Sequence, residues 1–132
     1  MNTESNGMFE EVVSDRPLRD LLLLMPLLPV SDRGEIDYNA AEPALLTQIG
    51  SNADLSMRTL YRGTAAIGRL LVAVSPEIGT GEFSADAMES IGWLLAEIGD
   101  LAATAQCLSV ACHRYTADYV PATQKYITPT RP

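Results

Sequence analysis

Positive charge is what this 132-residue chain has least of: 9 Lys+Arg stand against 17 Asp+Glu, for a net charge of -8 and a pI near 4.4. An acidic domain repels phosphate backbones and anionic lipid headgroups, so direct nucleic-acid or membrane-surface binding is not expected. The charge either serves solubility alone or marks a surface suited to a basic protein. Chemical signatures are equally scarce. The chain has no P-loop, no glycine fingerprint following a strand and no zinc-ligand spacing. Its single histidine, His113, lies near no residue whose spacing suggests a nucleophilic triad, and it suits a helix C-terminus as a favourable positive charge. The first expectation is therefore no enzyme, no cofactor and no metal.

Cysteine is limited to Cys107 and Cys112. Five helical steps turn the side chains about 140° apart, too far round to bridge within one helix. Buried free thiols in a reducing compartment are the expectation. The first 14 residues carry Glu4, Glu10 and Glu11 and no basic segment, unlike a secretory signal. The most apolar run, from Leu21 to Leu28, is short and broken by Pro26, so it does not read as a membrane span. These absences together point to the cytoplasm. No low-complexity run and no repeat of solenoid length is present.

What the chain does have is helical periodicity. Hydrophobic residues make up 47% and charged residues 20%, the range of an ordinary globular domain. Apolar or small residues recur at Ile91, Leu94, Ile98, Leu101, Ala105, Leu108, Cys112, Tyr115 and Tyr119 in alternating steps of three and four, the spacing of a helix seam laid against a partner helix. A second such seam reads Leu46, Ile49, Ala53, Ser56, Leu60, Gly63, Ile67, Leu70 and Val74. Pro43 opens that helix, and Pro76, Gly79 and Gly81 close it near Ser75. Ser84 caps the next helix, with Asp86 favouring its dipole. So short a connection forces the two long helices to lie antiparallel. A shorter helix, capped by Ser14 or Asp15 and running to about Met25, is apolar nearly all round and reads as sandwiched. Residues 29–39 form a connection.

The fold class is all-α: an antiparallel helical hairpin with a short N-terminal helix, as a three-helix bundle or a dimeric bundle. Residues 1–14 form a loose arm, 15–120 the helical domain and 121–132 an extended tail. Twelve consecutive residues, 101–112, carry no charge and make a poor solvent face. That, with aligned small residues, places an oligomer interface at Gly92, Gly99, Ala102, Ala103 and Gln106, and a two-fold homodimer is the preferred assembly. The alternative is that the small residues accommodate bulkier ones opposite them.

One constellation carries the functional expectation. Asp86, Glu89, Glu97 and Asp100 share a stripe along the last helix, with Trp93 between the two pairs and Thr104 continuing the line. Carboxylates at i and i+3 are what divalent-metal sites in helical bundles use. The D-x-x-E…E-x-x-D pattern resembles the acidic helix motifs of all-α nucleotide pyrophosphatases, whose carboxylates come from more than one helix. Here the other long helix offers only Glu42 and Asp54. A metal-dependent nucleotide hydrolase is accordingly one alternative, and a solvated acidic face another. Trp93 is either covered by the N-terminal arm or exposed as an anchor for a partner. The leading expectation is a small non-catalytic adaptor or inhibitor, such as a phage or mobile-element protein that blocks a basic nucleic-acid-binding enzyme. A secretion-chaperone-like binder is the further alternative. The partner-binding residues are Asp86, Glu89, Trp93, Glu97 and Asp100.

Overall fold

The computed structural model describes residues 14–120 and 129–130. The expected N-terminal arm and C-terminal tail lie outside those residues, apart from Ser14 and residues 129–130. Three helices follow in order: α1 (Pro17–Leu24), extended by a 3-10 turn (Met25–Leu27), then α2 (Pro43–Ile78) and α3 (Ala85–Tyr115). The long pair forms the expected antiparallel hairpin, about 54 and 46 Å long at 1.5 Å per residue.

Local chemistry explains the boundaries, including those that differ from expectation. Pro17 sits at the start of α1, but Arg16 precedes the helix and no side chain caps it. Ser14 acts one step earlier: its hydroxyl donates to Asp20 Oδ2 at 2.5 Å and accepts from the Arg16 amide at 3.1 Å. Asp20 is buried, and Arg19 donates to its other carboxylate oxygen at 2.7 and 2.9 Å. Nor is α1 sandwiched. Leu21 and Leu24 are buried while Leu22 is 60% exposed, so one face packs and the other meets solvent.

Helix α2 runs past Pro76 to Ile78. Proline has no N–H to offer the Val72 carbonyl, and the Ser75 hydroxyl donates to that carbonyl instead, at 2.9 Å. Gly81 adopts a φ of +84° in the turn beyond, where side chains are disfavoured. Ser84 caps α3 as expected, accepting from the Ala87 amide at 3.1 Å. The helix ends at Tyr115, four residues before the expected Tyr119, where Thr116 turns its hydroxyl onto the Cys112 carbonyl at 2.7 Å. The connection after α1 is held by a Val30–Ile36 bridge and by Asp37 Oδ1, which accepts from the Asn39 and Ala40 amides.

The core sits at one end. Leu24, Leu46, Ile49, Ala53 and Cys112 are fully buried, packed with Leu21, Leu28, Leu45 and Met57. Helix α1 and the connection cover this end of the hairpin. Asn52 Nδ2 and Ser56 Oγ are buried there without a partner among the described residues. From Arg58 to Leu101, no residue of either helix is buried. The hairpin is thus a covered base carrying an uncovered two-helix blade.

The seams shift by one position along this length. On α3 the buried and half-buried residues run from Met88, Ile91, Leu95 and Ile98 through Leu101, Ala102, Ala105 and Leu108 to Ser109, Ala111 and Cys112. Leu94 is 53% exposed and Tyr115 45%, so these two members of the expected seam lie beside the contact line, whereas Leu101 is half-buried and Leu108 is buried in the core as expected. On α2 the line passes from Ile49 and Ser56 to Thr64 and Leu71, leaving Gly63 and Leu70 exposed. A straight helix of 3.6 residues per turn drifts about 20° per heptad, which accounts for the crossover.

Candidate functional site

The expected acidic stripe is present as one surface. Asp86, Glu89, Trp93, Glu97 and Asp100 are all exposed, on the side of α3 that faces away from α2. Trp93 is 66% exposed, and its indole N–H points at Glu89 Oε1 at 3.5 Å, one turn earlier. At that length the contact orients the ring more than it binds it. No described residue covers the ring. Thr104 and Ser90 turn their hydroxyls back onto the Asp100 and Asp86 carbonyls, at 2.8 and 2.9 Å, leaving the carboxylates as the polar groups presented outward.

The carboxylates of α2 do not join this stripe. Glu42 flanks the start of α2, Asp54 is engaged at the base, and Glu77 lies exposed in the last turn. Among the described residues, no group of three or more His, Cys, Asp or Glu side chains could hold a metal ion. Opposite the stripe, across the hairpin, the outward side of α2 carries Arg58, Arg62 and Arg69, also exposed. The blade is therefore acidic on one edge and basic on the other.

Of the five small or polar residues expected at an oligomer interface, Ala102 is only 4% exposed and is taken up by the packing of α3 on α2. Gly92, Gly99, Ala103 and Gln106 are exposed and lie on one flank of α3, between the seam and the acidic stripe. A Cβ added to Gly63, Gly68, Gly92 or Gly99 would meet no atom within 4 Å. Packing among the described residues does not explain these glycines, although each costs a helix interior about 1 kcal/mol relative to alanine. Gly50 differs: there a Cβ would come within 3.2 Å of Cys112 Cβ, so the helices approach closely.

A second polar group joins the helices at the base. Asp54 accepts from the Ser109 hydroxyl at 2.5 Å and pairs with His113 Nε2 at 2.9 Å. The carboxylate is in the middle, whereas a nucleophilic triad needs the histidine between hydroxyl and carboxylate. The serine proton is committed to Asp54, so this group is a clasp between α2 and α3. Ser109 and His113 stand one turn apart, but only the register of the hairpin reveals Asp54 as their partner. Beside it, burial and then the charge of Asp54 push the Cys112 thiol from an ordinary 9.0 up to about 11. A protonated, buried thiol is a poor nucleophile. Cys107, expected to be buried, is exposed, and both cysteines are free.

Among the described residues, helix α3 is long and apolar enough, by length and composition, to cross a membrane. The core helix of a soluble protein passes the same test when it is mostly buried, but only 22% of this apolar window is buried. Here α3 is paired lengthwise with α2 and clasped to it through Asp54. No family model, no curated protein and no solved structure matches the chain.

Proposed function

We propose that this protein acts by protein–protein contact, as an adaptor or inhibitor, and that the Trp93 face of the blade is its working surface for a basic partner. The observation that supports this most is the exposure of Trp93, 66%, at the centre of four outward carboxylates. Tryptophan is among the residues that dominate binding energy when a partner buries it, with losses of about 2 kcal/mol or more on truncation. A carboxylate rim adds steering and partner choice, both weakened by salt. A basic nucleic-acid-binding enzyme fits such a surface, and an acidic helical face could occupy its nucleic-acid site.

Trp93 is the single tryptophan, so its fluorescence reports on this face alone. Titration with an arginine-rich helical peptide at low salt is expected to shift the emission to the blue. The response should disappear in Glu97→Lys/Asp100→Lys and weaken at least tenfold in 0.5 M salt. An emission spectrum unmoved by millimolar peptide would overturn the proposal, as would binding that tolerates both the charge reversal and the salt.

A further inference from the structure

Antiparallel right-handed helices place Tyr61, Gly68 and Val72 of α2 on the same side of the blade as Gly92, Gly99 and Ala103 of α3. All six are exposed, and none is charged. Asp54 and His113 continue this side at the base. The connection lies on the other side, where Tyr38 stacks on Tyr115 with ring centroids 5.2 Å apart. The six residues therefore belong to a flat, open face about 27 Å long and two helices wide, roughly 500 Å².

We infer that this face is occupied by a second copy of the chain, packed about a two-fold axis that runs along the hairpin to form a four-helix bundle. Three observations carry the inference. The face is uncharged over its length, and about 1,000 Å² buried in total reaches the size at which specific interfaces begin. Gly68, Gly92 and Gly99 lie open on it with no neighbour among the described residues to require them. Glycine in a helix serves close backbone approach, and no described residue makes that approach, which leaves it to a second copy.

The third observation is charge, which also selects the arrangement. A two-fold axis across the blade would lay α2 on α2, arginine edge against arginine edge. An axis along the hairpin lays α2 of one copy over α3 of the other, bringing each arginine edge beside a carboxylate edge. The Asp54–Ser109 bond sets the register of the two helices. Carried along the blade, it puts Arg62 level with Leu101, one residue from Asp100. It puts Arg69 level with Leu94, next to Trp93 and within one turn of Glu97. The second copy thus offers a guanidinium to each half of the acidic stripe, one of them in position to stack on the indole. This goes beyond the proposed partner contact, since its contact area lies on the uncharged flank, and it meets the acidic stripe only through the arginine edge of the second copy.

Light scattering of the full chain across micromolar to millimolar concentration tests it. The expected mass is twice the 14.2 kDa of the chain. Gly99→Glu should give monomer with the helical circular dichroism intact, because no described residue touches that position. Arg62→Glu should weaken dimerisation at least tenfold, and Arg62→Glu/Asp100→Arg should restore it. A mass of one chain at every concentration would overturn the inference. So would an open-ended assembly, or a dimer indifferent to both Gly99→Glu and the charge swap. Each of these outcomes is independent of the Trp93 titration, which the Gly99→Glu monomer can undergo by itself.

Discussion

The base and the blade are built from the same two helices, yet every fully buried side chain among the described residues lies in the base. Between Pro43 and Met57, α2 carries eight buried residues; from Arg58 to Ile78 it carries none. Both stretches have apolar residues at helical spacing. The difference lies in what covers them. Two helices bury only one line of each other, and it takes α1, with Leu21, Leu24 and Leu28, to turn a line into a core. Local helical pattern and tertiary burial are therefore separable within a single helix.

Truncation of matched residues in the two regions gives the largest contrast. Ile49 is 0% exposed and Leu70 63%. Ile49→Ala should cost about 3–4 kcal/mol in urea unfolding, through lost transfer energy and the cavity left behind. Leu70→Ala should cost under about 0.5 kcal/mol in the monomer. Similar losses at both sites would mean that the blade is as well packed as the base.

Alkaline pH should act on the base alone. Burial holds the Cys112 thiol up at about 11, against 9.0 for an ordinary thiol. The unfolded chain gives up this proton first, so stability is intact below about pH 9 and falls as pH rises through 11. The loss approaches roughly 2–3 kcal/mol. Tyr38, raised by burial and then by the neighbouring Cys112 charge, adds to the loss with the same sign. Urea unfolding at pH 8, 9.5 and 10.5 should show the fall in the native chain, with a shallower slope in Cys112→Ala. A thiol reagent at pH 8 should meanwhile modify exposed Cys107 quickly and Cys112 only on unfolding. Equal slopes in the two proteins would remove Cys112 as the source.

Much of the hairpin was legible in the sequence because its signals are local. Pro43, Ser84 and the Pro76–Gly81 turn mark helix ends through backbone chemistry that needs no partner. The end of α2 was misplaced by three residues because Ser75 satisfies the carbonyl that Pro76 abandons. Leu94 and Tyr115 were misplaced in the seam of α3 for a geometrical reason: Leu94 and Leu95 suit a heptad equally, and the drift of straight helices decides between them. The Asp54 clasp was not legible, since residues 55 apart in sequence meet only once the register exists. The acidic stripe, lying on one helix, was read in full. Whether Trp93 is covered depends on what the rest of the chain reaches, and periodicity carries no information about that.

Glycine gives the smallest contrast but the most discriminating one, because the two regions should respond with opposite sign. Alanine improves helix propensity by about 1 kcal/mol at either site. At Gly63 the added methyl group meets nothing within 4 Å, so Gly63→Ala should stabilise by roughly 0.5–1 kcal/mol. At Gly50 it comes within 3.2 Å of Cys112 Cβ. Cys112 is 0% exposed and is held on the buried side of α3 beside the Asp54–Ser109 bond. It can yield only by moving the helix, so steric strain should offset the propensity gain, and Gly50→Ala should destabilise by about 1 kcal/mol or more. The His113 pairing would loosen with it, and the histidine ring protons should shift in the NMR spectrum of Gly50→Ala but not of Gly63→Ala. If both substitutions stabilise equally, the close approach of α2 and α3 at the base is softer than the packing around Cys112 implies. The base would then owe its stability to the cover supplied by α1 rather than to the fit between the long helices.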